Sequence, residues 1–121
     1  MTGMAGHPRV RLKRAYDPPS TDDGVRVLVD RLWPRGLKKS ESRIDHWLKE
    51  LAPSTELRKW FGHRSERWQE FRRRYLAELA GKGEQLDELR KLAPERPLTL
   101  LYAAHDEAHN NAIVLQEELK Q

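Results

Sequence analysis

The feature that most constrains this chain is an apolar run that stops at charge. Val25-Arg26-Val27-Leu28-Val29 leads straight into Asp30-Arg31-Leu32-Trp33-Pro34-Arg35-Gly36. A short, β-branched run of this kind predicts a buried strand over Val25–Asp30. The Trp-Pro and Arg-Gly steps then predict a stiff turn carrying two guanidiniums, because proline fixes its own φ and restricts the residue before it. Leu98-Thr99-Leu100-Leu101-Tyr102-Ala103 is a second near-continuous apolar run, the pattern of a strand covered on both faces. Val10 to Tyr16 alternates less cleanly and predicts a strand nearer a sheet edge.

Helical signals fill the space between the second and third strands. Ser42-x-x-Asp45 resembles a capping box, with Ile44, Trp47, Leu48 and Leu51 at helical spacing behind it. Pro53-Ser54 restarts the chain into a short helix through Leu57, Trp60 and Phe61, which Gly62 closes. Trp68, Phe71, Tyr75, Leu76 and Leu79 mark a longer helix ending at Gly81, and Leu86, Leu89 and Leu92 mark another ending before Pro94. A last helix is predicted from about Asp106, with Ala108, Ala112, Leu115 and Leu119 as its stripe. Ser20 is placed to cap a single helical turn ahead of Gly24.

These elements predict one α/β domain over residues 9–121: a small, mainly parallel three-stranded sheet with about five helices, after a frayed lead-in at 1–8. With 121 residues there is room for one core. The loop between strands one and two is short for a parallel crossover, so an antiparallel hairpin there stays open. The choice matters, because ligands in open α/β sheets sit outside the carboxyl ends of the strands. Parallel strands bring Asp17, Asp30-Arg31 with Arg35, and His105-Asp106 to one rim; a hairpin sends Asp17 to the other end.

Charge and composition narrow the function classes. The net charge is +4, with nine Lys/Arg against four Asp/Glu in residues 1–40 and five against eight in residues 81–121. The basic half suits an anionic ligand or nucleic acid. Arg64, Arg67 and Arg72-Arg73-Arg74 look like a nucleic-acid patch. Glu66, Glu70 and Glu78 are interleaved with them, however, which favours a salt-bridged solvent face. No apolar run is long enough to span a membrane, and no secretory signal is visible. There is no cysteine, which removes disulfides and thiol chemistry and fits a cytoplasmic protein. No Gly-rich phosphate loop or nucleophile elbow occurs, and no signature calls for a cofactor.

Of the four tryptophans, Trp47, Trp60 and Trp68 fall on helical apolar faces and are expected in the core, whereas Trp33 follows a strand end and is expected at a pocket wall. His105 and His109 lie four apart, which leaves three readings open: a pair of metal ligands lacking a third, an acid/base or anion contact, or a helix start capped by Asp106. Arg31 and Arg35 suit the clamping of a carboxylate or phosphate, with Asp30 orienting them or acting as base. His109 then serves as acid/base and Asp106 orients it. Hydrolysis or group transfer is the reaction class this predicts. The alternatives are a non-catalytic module binding nucleic acid or a regulatory protein, and a purely structural role in which Arg31 braces the loop.

Leu12-Lys13-Arg14-Ala15-Tyr16-Asp17, the run from Arg26 to Gly36, Asp45-x-Trp47, Ala52-Pro53-Ser54, Leu57-Arg58-x-Trp60-Phe61-x-His63 and Leu100-Leu101-Tyr102-Ala103-Ala104-x-Asp106-x-x-His109-Asn110 together resemble the YeaO-like proteins, domain of unknown function 488. The resemblance implies a compact bacterial α/β protein with a mainly parallel sheet and no established activity. It adds Arg58, His63 and Asn110 to the candidate ligand contacts. Longer relatives in the wider family are similar here but place cysteines near the third strand end, where this chain has Tyr102 and Asn110, so thiol chemistry does not carry over.

Overall fold

The computed structural model describes residues 9–120; the lead-in assigned to residues 1–8 lies outside them. The sheet is wholly parallel and has four strands in the order β1-β4-β2-β3: β1 (Val10–Arg14), β2 (Val25–Leu28), β3 (His46–Trp47) and β4 (Leu98–Tyr102). β4 lies between β1 and β2, with Leu98 in register with both Val10 and Val25. The hairpin is thereby excluded. A loop of ten residues suffices because it carries the chain past one strand position, without a full helix to accommodate. Ser20 caps a 3-10 turn at Thr21–Asp23 inside that loop. Gly24 then brings the backbone back at φ +66°, where a Cβ would stand 2.1 Å from the Pro97 carbonyl oxygen. Only glycine fits there.

The helices are α1 (Lys39–Ser42), α2 (Thr55–Phe61), α3 (Trp68–Ala80), α4 (Gly83–Lys91) and α5 (Asn111–Leu119). The last four follow the apolar spacing, and Ser54 and Gly62 bound α2 as the sequence indicates. Two expectations are corrected. The stretch from Ser42 to Leu51 is not a helix: Arg43 turns out at φ +51°, β3 follows, and a 3-10 turn at Lys49–Leu51 ends it. Asp45 explains the change. Its N–H donates to the Arg26 carbonyl at 2.8 Å and its carboxylate accepts the Arg26 N–H at 2.9 Å, so it docks the chain onto the β2 edge and caps nothing. The sheet therefore has a fourth strand, and Trp47 is exposed on it instead of buried in a helix stripe. The second correction is the start of α5. Asn110, not Asp106, is its N-cap, accepting the Ile113 N–H at 3.1 Å.

Strand alternation gives the sheet two unlike faces. Val25, Val27, Val29, Leu98, Leu100 and Tyr102 point into one large core with Leu57, Phe61, Phe71, Tyr75, Leu89 and Leu115 of the four longer helices. The opposite face carries Leu28 and Leu101 under Ala15, Trp33, Leu37 and Ile44, a small cluster covered by loops. Beside it lies a buried ion pair. Arg26, 3% exposed, bonds the Asp23 carboxylate and sends Nε and Nη2 to the Ser42 carbonyl at 3.2 and 2.9 Å.

Candidate functional site

Because all four strands run the same way, their carboxyl ends share one rim, and a cavity of about 710 Å³ opens there. Three segments supply its charged and titratable lining. The first is the loop after β2, which contributes Asp30, Arg31, Trp33 and Arg35; the second is the turn after β4, with His105, Asp106 and His109. Third, Arg58 and Phe61 of α2 and His63 just after it close the side nearest α3. Asp17 stands apart. It lines a separate cleft of about 380 Å³ with Tyr16, Pro18, Lys38 and Glu41, on the loop-covered side.

Asp30 sits at the floor of the cavity. Its carboxylate accepts the Ala103 N–H at 2.9 Å, and its own carbonyl accepts Trp47 Nε1–H at 2.7 Å, so both flanking strands fix it. Burial pushes its carboxyl above the ordinary aspartate range, against the pull of the Ala103 N–H, the Asn111 amide and the charges of His63 and Arg58. A carboxyl held this way is a weaker acid than its fellows and a better proton acceptor once ionised.

The arginines divide by what they already hold. Arg31 donates from Nε to the Pro53 carbonyl at 3.1 Å and from Nη2 to the Ala52 carbonyl at 3.3 Å, tying the loop to the entry of α2. It has the brace role that the sequence left as an alternative to the clamp. Arg14, which the sequence reading passed over, does the same for the turn after β4, bonding the Ala103 and Ala104 carbonyls at 3.0 Å each. Its only sequence signal was a charge at an inward position of an otherwise apolar alternation. Arg58 differs from both. Its Nε is buried and has no hydrogen-bond partner among the described residues. Arg35 is exposed on the rim, its loop pinned by a 2.8 Å bond from the Tyr16 hydroxyl to the Arg35 carbonyl.

His109 Nδ1 lies 2.9 Å from Asp106 Oδ2, and the Asp106 carboxylate also accepts the N–H groups of Ala108 and His109. The Ala108 bond, His109 and the His109 N–H hold the Asp106 carboxyl below its ordinary range, against weak desolvation. An imidazole whose Nδ1 meets a carboxylate carries a proton on that nitrogen. The ring rests edge-on against Trp68, centroids 5.3 Å apart. Residues 105–109 form bends, not a helical turn, so the i, i+4 metal geometry is not realised. Among the described residues no cluster of three His, Asp or Glu side chains is arranged to hold a metal ion. Asn110 is occupied in two directions, capping α5 and donating to the Asp106 carbonyl at 3.0 Å. Trp33 stands at the cavity wall with its Nε1–H on the Leu37 carbonyl at 2.8 Å.

The basic face of α3 is paired internally. Arg73 and Arg74 both bond Glu70, and Arg72 bonds Glu117 of α5. The two guanidiniums on Glu70 pull its carboxyl down to about 2.

A family described as the inactive DUF488-N3 subclade matches residues 9–121. The chain belongs to it. Among relatives of this DUF488 chain, the uncharacterised protein YeaO of Escherichia coli K12 is 48% identical over 111 residues, covering 92% of this chain and 96% of the relative. The uncharacterised protein Rv3073c of Mycobacterium tuberculosis H37Rv is 44% identical over 116 residues, covering 96% and 98%. No solved structure matches it.

Proposed function

We propose that the strand-end cavity binds a small anion, a phosphate or carboxylate, and that Arg58 is its principal contact. One observation carries this reading: a buried guanidinium Nε with no partner among the described residues, in a cavity it lines with other cationic groups. An unmet buried donor costs about 1–3 kcal/mol, a penalty that an oxyanion drawing the Arg58 side chain toward the cavity would remove. Arg35, on the rim of the same cavity, adds positive charge. Arg31 contributes through the loop it holds, and Asp106 fixes the orientation of the His109 ring.

Binding without turnover is preferred to hydrolysis or group transfer. The family is described as inactive. Asp30, His109 and Asp106 remain the residues that chemistry would require. The α3 arginines already have carboxylate partners, which weakens a nucleic-acid patch on that helix. Among the described residues no helix is long and apolar enough to cross a membrane. For its setting we propose the cytoplasm, where disulfides are rare and a cysteine-free chain lacks nothing.

The test is a thermal-shift series with phosphate, sulfate and dicarboxylates on wild type and Arg58→Leu. A ligand at a hundred times its Kd stabilises the folded state by about 2.7 kcal/mol. A shift in wild type that vanishes in the variant is the expected result. Equal shifts in both proteins, or none in either, would remove the anion site.

A further inference from the structure

An oxyanion of four or five atoms leaves most of this cavity empty. Its volume of about 710 Å³ falls in the range of sites that enclose whole organic ligands, roughly 300–1,000 Å³. Three aromatic rings share the lining with the cationic groups. Phe61 and Phe71 both line the cavity, and their rings stack with centroids 4.2 Å apart and planes 19° from parallel. Trp33 lines it from the loop after β2. Its indole is held at both ends, by the Leu37 carbonyl and by edge contact with Trp47 at 5.5 Å, and it stays only half-buried. A tryptophan fixed in this way and left partly open is a preformed stacking surface, which loses no rotamer freedom when a flat ligand settles on it.

Resting on the anion reading above, we propose that the natural ligand is a flat aromatic ring carrying one phosphate or carboxylate, with the oxyanion on Arg58 and the ring against Trp33. The arrangement explains two features together. It gives the unmet Arg58 donor a partner, and it gives the remaining volume an occupant matched to aromatic walls. Asp30 limits the ligand's charge, because a second anionic group facing the cavity floor meets a carboxylate already disfavoured by burial.

Isothermal titration calorimetry on the full chain tests this with inorganic phosphate, phenyl phosphate, cyclohexyl phosphate and phenol. The expected result is phenyl phosphate binding at least ten-fold more tightly than inorganic phosphate and several-fold more tightly than cyclohexyl phosphate. In Trp33→Leu, checked for folding by circular dichroism, the gap between phenyl and inorganic phosphate closes while inorganic phosphate binds as before. Equal binding of all three phosphates, lost in Arg58→Leu, would overturn the aromatic proposal and leave the anion site standing. Phenol binding as tightly as phenyl phosphate would overturn the anion site and this proposal with it. If none of the four binds, both are overturned.

Discussion

Two arginine–aspartate neighbourhoods sit on this small sheet, and they are finished differently. On the loop-covered face, Arg26 has the Asp23 carboxylate and the Ser42 carbonyl, and Asp23 in turn takes Lys13 Nζ at 3.1 Å and the Ser20 N–H at 3.0 Å. Every group there is used by the protein itself. At the strand ends, Arg58 lies near enough to Asp30 for its charge to act on that carboxyl, yet its Nε has no partner. A buried, fully bonded pair secures a loop, whereas a pair left incomplete beside a cavity is open to something from outside. The same residue types are a structural clasp in one place and a candidate binding group in the other.

The largest expected effect breaks the clasp. Arg26→Ala leaves Asp23 as a buried charge with Lys13 as its remaining cation, a change of the kind that costs about 3–5 kcal/mol. Urea unfolding reads it directly, and a loss under about 1 kcal/mol would mean the two neighbourhoods do not differ. Next comes Asn110→Ala, which removes the α5 cap and costs roughly 1 kcal/mol. It should leave anion binding intact, because the side chain is spent on capping. Arg58→Leu sharpens the contrast: without ligand its unfolding midpoint stays level or rises, since a buried unmet donor has been removed, while phosphate no longer shifts it.

The two aspartates should also give opposite pH signatures. Burial disfavours the charged form of Asp23, but the Ser20 N–H, Lys13 and Arg26 outweigh it and its carboxyl is lowered. Its stabilising contribution is therefore present above the unfolded aspartate value and fades as pH falls through the lower folded one. Asp30 is raised, so its ionisation costs stability as pH climbs from the unfolded value through the folded one. Asp30→Asn should gain on wild type at neutral pH and lose that gain on acidification, as followed by unfolding at stepped pH. A gain that persists unchanged at low pH would assign it to packing. The smallest effect is Glu70→Gln. Its ion pairs are exposed, and the unfolding midpoint should hold, with at most a slight change that added salt abolishes.

Periodicity carried most of the fold. The runs at Val25 and Leu98 are strands because nothing else buries β-branched and aliphatic residues at that density, and α2 to α5 follow from apolar spacing and their terminating residues. The site was legible where a strand stops at charge: Asp30, Arg31, Trp33, Asp106 and His109 all line one cavity. Failures came where a residue's partner lies far along the chain. Asp45 carries the local signature of a capping box, yet it bonds the Arg26 backbone in both directions and so docks the following residues onto the open β2 edge as a strand. Asp17 reads as another strand-end acid, but the turn after Arg14 carries it to the far side of the sheet.

By itself, then, the sequence determined three of the four strands, the four longer helices and which strand ends bear charge, because those depend on neighbours within a few residues. Only the tertiary structure decided that β4 stands between β1 and β2, and so that all the strand ends face one way. It also decided which guanidiniums are already taken. Arg14, Arg26 and Arg31 find carbonyls or a carboxylate between 3 and 90 residues distant, and Arg58 Nε finds none among the described residues. Hydrogen-bond satisfaction depends on distance in space, and that distance exists only once the chain has folded.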